Sequence, residues 1–220
     1  MHHTSTQVMQ HSLKDPAVSA TLNRLHGEAD KEMPTIIKGF VKSIGRSLQP
    51  KDMVDAYIAI TRQQGELLYT LLRTTGARHI VEFGTSFGIS TLYLGAAARD
   101  NGGTVITTEI EPSKCAIAQK NIEEAGLADT ITLLEGDAME TLKNVRPAID
   151  HLFLDGWNDL YLPLLEMLEP KFRSGTSILT DNASFASAKP FLNYVHNSPN
   201  YMSVPLKTDK GVTELSCYIG

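Results

Sequence analysis

The sequence predicts an α/β domain whose sheet is mostly parallel and ends in an antiparallel hairpin. Three observations carry this expectation. From residue 79 onward, short β-rich runs with few charges alternate with stretches of helical punctuation. The first such run, within "VEFGTSFGIST" at 81–91, leads into a tight glycine turn and then a helix. The chain closes on "YMSVPLK" (201–207), a turn at Thr208-Asp209-Lys210-Gly211 and "VTELSCYI" (212–219), which read as a hairpin. Repeated strand-helix units imply right-handed crossovers between parallel strands, so ligands are expected at the carboxyl ends of those strands.

The opening "MHHTSTQVMQHSLKDP" is polar and is expected to be a flexible start; His2 and His3 are too few for a metal-binding tract. A helix is expected over 16–32, because the fixed φ of Pro16 suits a first turn in which its missing N–H costs nothing. Residues 34–50 lie between two prolines and contain Gly39 and Gly45, which fits either a cover over a site or a connector. "QQGELLYTLLRTTG" (63–76) reads as a second helix closing on Gly76. The chain thus divides into an N-terminal helical cap with a flexible start, 1–62, and a ligand-binding domain, 63–220.

Five strands are expected in that domain before the hairpin: "HIVEF" (79–83), "TVITTEI" (104–110), "TITLLE" (130–135), "HLFLD" (151–155) and "TSILTD" (176–181). With the hairpin they make seven. Pro112 opens a helix that places Cys115, Ala118, Ile122 and Ala125 on one face and ends at Gly126. Asp137, with Glu140 three residues on, reads as a capping box ahead of Met139, Leu142 and Val145.

Composition narrows the functional classes. At 220 residues and 42% hydrophobic content the chain can bury a substantial core, and one domain is expected. A net charge of −5 supplies no basic footprint for nucleic acid or an anionic membrane. No run approaches the roughly 18 apolar residues of a membrane span, and the start lacks the apolar stretch of a leader, so a cytoplasmic protein is expected. Cys115 and Cys217 form neither a C-x-x-C pair nor a metal spacing, which suits two free thiols in a reducing compartment.

The glycine turn and the second strand speak to the ligand. A nicotinamide fingerprint reads G-x-G-x-x-G, with the second glycine admitting a pyrophosphate. Here Ser86 holds that second position, Gly84 and Gly88 remain, and the loop has no basic residue to meet phosphate. These features argue against a dinucleotide. Glu109 ends the second strand, where a carboxylate chelates ribose hydroxyls through two acceptor oxygens. A nucleoside without phosphates satisfies both observations.

At these residues the sequence resembles class I S-adenosylmethionine-dependent methyltransferases, and more narrowly the metal-dependent catechol and caffeoyl-CoA O-methyltransferase group. The likeness runs from Gln64 to Gly220 through "QGELL", "VEFGTSFGIS", "VITTEIEP", "FLDGWNDLYLP" and "LTDN". It implies a Rossmann-like methyltransferase fold over 63–220 and S-adenosyl-L-methionine as cofactor. By the same resemblance Gly84 and Ser90 meet the methionine part, Glu109 the ribose and Trp157 the adenine. Glu82, Ser86, Gly88, Ile110, Asp137, Ala138 and Asp155 complete the implied cofactor contacts. Five of them have a plainer alternative: Glu82 and Glu109 as solvated strand ends, Asp137 as a helix cap, Gly88 as an aid to helix packing, Trp157 as core.

Asp155 ends the fourth strand, and Asp181 and Asn182 end the fifth. If the strands are neighbours, about 4.8 Å apart, these side chains converge at the ligand-bearing edge. Three hard oxygen donors suit Mg²⁺, or Mn²⁺ or Ca²⁺, and the resemblance assigns these positions to the metal. The plainer alternative is turn and cap formation. A bound cation would lower the pKa of an acceptor hydroxyl beside the methyl group.

The sequence departs from the group in "DGWND". Catechol-type relatives carry a lysine, taken as the general base, where this chain has Asn158, and a histidine where it has Gly156. An amide cannot usefully accept that proton. Three explanations stay open: the metal acts alone, Lys210 or Glu214 assists, or the substrate is already acidic or nucleophilic. Glu214 also falls near the acidic residue that holds a second hydroxyl in catechol enzymes, or else is a cross-strand surface carboxylate. Asp155, Asn158 and Glu214 are thus the expected catalytic positions, and methyl transfer to an oxygen of a small chelating molecule is the expected reaction. Competing expectations are methylation of another atom or of a macromolecule, although "DNAS" (181–184) lacks the Pro-Pro-aromatic motif of many nucleic-acid amino methyltransferases, and a cofactor-binding protein without catalysis. A homodimer is one open assembly.

Overall fold

The structure, a computed structural model, describes residues 11–31, 59–208 and 211–220. The 34–50 stretch, His2, His3 and Lys210 lie outside the described residues. Seven strands form one sheet: β1 His79–Phe83, β2 Thr104–Glu109, β3 Ile131–Glu135, β4 Ile149–Leu154, β5 Phe172–Thr180, β6 Tyr201–Thr208 and β7 Gly211–Tyr218. Their order is β3-β2-β1-β4-β5-β7-β6. The first five are parallel, and β7 runs antiparallel to both β5 and β6. The expected mostly parallel, seven-stranded, Rossmann-like sheet with its C-terminal hairpin is present. The chain steps outward from β1 to β3 and then returns to place β4 beside β1, so the crevice for a ligand opens at the carboxyl ends of β1 and β4.

Among the described residues the α-helices are α1 Pro16–Lys31, α2 Arg62–Thr75, α3 Ile89–Asn101, α4 Pro112–Glu124, α5 Ala138–Thr141, α6 Tyr161–Leu168 and α7 Lys189–Asn197. Strand alternation sends neighbouring residues to opposite layers. Ile80, Phe153 and Leu179 pack with Leu22, Leu68 and Leu92 of α1, α2 and α3. Val81, Leu152 and Ile178 pack with Leu164, Leu165 and Phe191 of α6 and α7. Both faces are covered, which is why these strands read as near-continuous apolar runs. Full burial of each large aliphatic side chain contributes about 1.5–3 kcal/mol before conformational entropy is charged against it. Helix α1 is tied down by polar contacts as well: Arg24 donates to Asn121 at 2.7 Å, and His26 Nε2 meets the Tyr93 hydroxyl at 3.1 Å.

Several boundaries differ from the sequence expectation. β4 begins two residues earlier and stops before Asp155, and β5 begins at Phe172 and stops before Asp181. The polar Arg173-Ser174-Gly175 run concealed the first part of β5. Its pairing with β4 is irregular, Ile149 standing opposite Phe172 but His151 opposite Ser177. Thr176 bridges this irregularity by donating to Ile149 O at 2.6 Å. The capping box expected at Asp137 is a simpler cap: Asp137 accepts from Met139 N at 2.9 Å, while Glu140 faces Lys143 at 3.9 Å. The reciprocal box is found instead at α2, where Thr61 Oγ1 accepts from Gln64 N and Gln64 Oε1 accepts from Thr61 N.

Candidate active site

The glycine turn is clamped from both ends. Glu82 on β1 is fully buried; its Oε1 accepts from Ser90 Oγ at 2.5 Å, and its Oε2 accepts from Thr91 Oγ1 and Thr107 Oγ1, each at 2.6 Å. Burial pushes its carboxyl above the ordinary carboxylate range, opposed by those three hydroxyl donors. The clamp joins β1, β2 and the first turn of α3. It also engages the hydroxyl of Ser90, the residue expected at the methionine part.

Within the turn, Gly84 has φ 101° and a Cβ there would stand 2.7 Å from Asp155 O, so only glycine lets the turn approach the loop after β4. Ser86 takes a left-handed conformation, φ 49°, held by its N–H donating to Glu109 Oε2 at 2.8 Å. The buried Ser86 Oγ has no hydrogen-bond partner among the described residues. Gly88 starts α3 with φ 92°, and a Cβ there would make only ordinary contact with Ala118 at 3.7 Å. Positive φ, more than helix packing, explains that glycine.

Glu109 stands at the end of β2 with Oε1 accepting from Ile110 N at 2.9 Å and Glu111 N at 3.0 Å. Three backbone donors therefore orient the carboxylate beside the turn. Ile110, next in the chain, is 54% exposed, an apolar surface placed beside a carboxylate. Asp137 is exposed, Ala138 is buried, and Trp157 is half-buried just before the short turn Asn158–Leu160. These residues fit a nucleoside: an apolar surface, an oriented carboxylate, a backbone cradle without basic side chains and an unpaired buried hydroxyl.

Across the crevice lies an acidic edge. Leu154 pairs with Thr180, and Asp181 N donates to Leu154 O at 2.9 Å, so Asp155 and Asp181 follow neighbouring strand ends. The Tyr161 hydroxyl lies within 3.2 Å of Gly156 O and 3.3 Å of Asp181 O and binds the two loops together. Burial, then the charges of Asp155 and Asp181, push its phenol well above the ordinary range, so it donates and does not serve as a base. Asn182 has φ 55°. Among the described residues no group of three His, Cys, Asp or Glu side chains assembles a metal site. The donors at this edge are two carboxylates and one amide, hard oxygen groups of the kind that suit Mg²⁺.

The departures from the group have a visible setting. Asn158 Nδ2 donates to Asn182 O across a long 3.5 Å. A Cβ on Gly156 would fall 2.4 Å from the Phe83 ring, so the ring closes the position where relatives carry histidine.

The structure does not bring Glu214 to this edge. Alternation along β7 sends Thr213 toward Asp181, whereas Glu214, 2% exposed, accepts from His196 Nε2 at 2.7 Å and Ser203 Oγ at 2.8 Å on the opposite face. Its expected part as a base or hydroxyl holder does not match that placement. Two residues that sequence reasoning missed do reach the edge: Gln64 Nε2 and Thr213 Oγ1 both donate to Asp181 Oδ1, at 2.8 and 3.1 Å. Neither the Thr61-x-x-Gln64 cap nor the reach of Gln64 to Asp181 was anticipated from the sequence.

A profile of the methyltransferase domain matches residues 81–183. The matched segment and the sheet order are those of a Rossmann-like methyltransferase domain, and in sequence the chain is similar to O-methyltransferases. The chain is 31% identical over 153 residues to catechol O-methyltransferase B of Danio rerio, covering 66% of this chain but only 58% of that protein. It is 28% identical over 157 residues to the catechol O-methyltransferase of Mycobacterium tuberculosis, covering 70% of this chain and 71% of that one. The crystal structure of the O-methyltransferase from Bacillus cereus in complex with SAH shares the fold, with a TM-score of 0.70 at 23% identity over 91% of each chain.

Proposed function

We propose that this protein transfers a methyl group from S-adenosylmethionine to an oxygen of a small molecule that chelates a divalent cation, as a catechol does. One juxtaposition carries the reading: a nucleoside-type site at β1 and β2 lies across the switch point from the oxygen-rich edge at β4 and β5. Glu109 would hold the ribose hydroxyls, the Gly84–Gly88 turn the methionine portion, and Ile110 and Trp157 the faces of the adenine. Asp155, Asp181 and Asn182 would hold Mg²⁺, which supplies the Lewis acidity that makes an acceptor hydroxyl more acidic.

Methyl transfer from a sulfonium is an in-line displacement, so positioning of acceptor oxygen and methyl group is the chief contribution of the protein itself. The Gly84 turn packs directly on the Asp155 loop, and this contact sets the cofactor and acceptor halves against each other. Asn158 contributes a donor at the edge and cannot take a proton. The acceptor is therefore expected to be one that loses its proton readily on chelation. Incubation with S-adenosylmethionine, Mg²⁺ and a panel of catechols, hydroxamates and other chelators tests the reading by product mass and attachment site. The second reading, a cofactor-binding protein without turnover, is favoured by Asn158 alone; it predicts SAH binding with no methylated product across the panel.

A further inference from the structure

Helix α2 begins beside the acidic edge, and its first turn is built around one side chain. Gln64 is 5% exposed, and its amide is orientated by two interactions that agree. The carbonyl Oε1 accepts from Thr61 N at 2.9 Å, which leaves the NH₂ group directed to Asp181 Oδ1 at 2.8 Å. Flipping the amide would set N–H against N–H at Thr61 and oxygen against oxygen at Asp181. Thr213, 1% exposed, approaches the same oxygen from β7 at 3.1 Å and lies 3.4 Å from Gln64 Nε2. Two buried donors from elements far apart in sequence thus converge on one oxygen of one carboxylate. A helix cap does not require this: Thr61 and Gln64 complete their reciprocal box without Asp181.

We propose that Gln64 and Thr213 are positioning residues that hold the Asp181 carboxylate in the orientation a divalent cation needs. The proposal rests on the reading of Asp181 as a cation ligand. Residues that hydrogen-bond a ligating carboxylate fix its rotamer, and removing them typically weakens metal binding about 10–100-fold. Asp181 is half-buried, and charge-assisted bonds to such a carboxylate favour one rotamer over the several wells it would otherwise share.

The test uses Mn²⁺ as the probe, titrated into the full chain with free ion followed by electron paramagnetic resonance. SAH affinity is measured by calorimetry on the same samples. Gln64→Met and Thr213→Val each remove a donor at nearly constant volume; Thr213→Ser keeps it. Thr61→Ala weakens the helix cap without touching Asp181. The expected result is a Mn²⁺ dissociation constant raised on the order of tenfold or more in Gln64→Met and Thr213→Val. It stays unchanged in Thr213→Ser and Thr61→Ala, and SAH affinity stays unchanged in all four. Parental Mn²⁺ affinity in both donor-deleting variants overturns the proposal. An equal loss in Thr61→Ala, or a parallel loss of SAH affinity, assigns the effect to general destabilisation and overturns it as well. No Mn²⁺ binding by the parent protein instead refutes the cation reading of Asp181, and the positioning role falls with it.

Discussion

Glu109 offers the sharpest perturbation, because the structure specifies what its carboxylate does before any cofactor arrives. One oxygen accepts from Ser86 N across the turn, and the other accepts from Ile110 N and Glu111 N within its own loop. Hydrogen bonds to a charged group are worth about 1.5–3 kcal/mol each when buried and less when water can replace the acceptor. The Ile110 and Glu111 donors lie at a more open loop, so their loss should be small. The Ser86 bond holds a left-handed residue in the turn, so its loss should be felt there. Glu109→Ala removes this bond and the proposed ribose contacts together, and SAH affinity should fall by about 1–3 kcal/mol, or roughly 5–150-fold. Glu109→Gln keeps one acceptor and replaces the other with a donor that conflicts with one set of N–H groups, so it should fall between parent and alanine. Isothermal titration with SAH measures the affinities, and the rise in melting temperature on adding SAH gives an independent reading by linkage. NAD should produce no comparable rise. Equal SAH affinity in Glu109→Ala and parent would refute the ribose assignment, even if the free variant had lost stability.

Three further outcomes are expected. Asp181→Ala should abolish most of any Mg²⁺-dependent turnover, and EDTA should do the same to the parent with recovery on adding Mg²⁺; full turnover by the variant in EDTA would exclude cation assistance. Among the described residues Asn158→Lys gives up only the long side-chain contact to Asn182 and places an amine at the edge, so initial rates on a catechol should rise about tenfold, part of the 10²–10⁴ typical of general-base catalysis, and no gain at any pH would refute the idea that the site lacks a base for such a hydroxyl. His151 is fully buried, its Nδ1 meeting Ser177 Oγ at 2.8 Å, and burial lowers its pKa from 6.5 to about 3. A base whose folded pKa is depressed stabilises the fold above pH 6.5 and loses that contribution as pH falls from 6.5 toward 3, by up to about 1.4 kcal/mol per unit. Urea unfolding of His151→Asn should therefore show a shallower acid limb than the parent between pH 6.5 and 4.5, and matching slopes would count against a buried neutral histidine.

Much of the fold was legible because its signals are local. Gly76 and Gly126 stop helices with positive φ, Pro16 and Pro112 open them, and the apolar runs at β1 and β4 are buried on both faces. These follow from backbone sterics and hydrophobic patterning within a few residues. Arg173-Ser174-Gly175 illustrates the limit: it joins β5 only because Thr176 and the neighbouring β4 supply partners, which no local pattern records. Helices α6 and α7 were likewise not anticipated.

By itself the sequence determined the type of sheet, the glycine turn with its carboxylate at the end of β2, and the order of the oxygen-bearing side chains after β4 and β5. Which carboxylates share a site was a tertiary decision. Glu214 and Thr213 are adjacent in the chain, yet one turns to His196 and the other to Asp181, because a strand's side chains alternate and the hairpin register chose the face. Gln64 reaches Asp181 across 117 positions because α2 packs its first turn against the carboxyl end of the sheet. Distances of this kind are set by how layers pack, and the residues that will meet carry no mark of it in their own neighbourhoods.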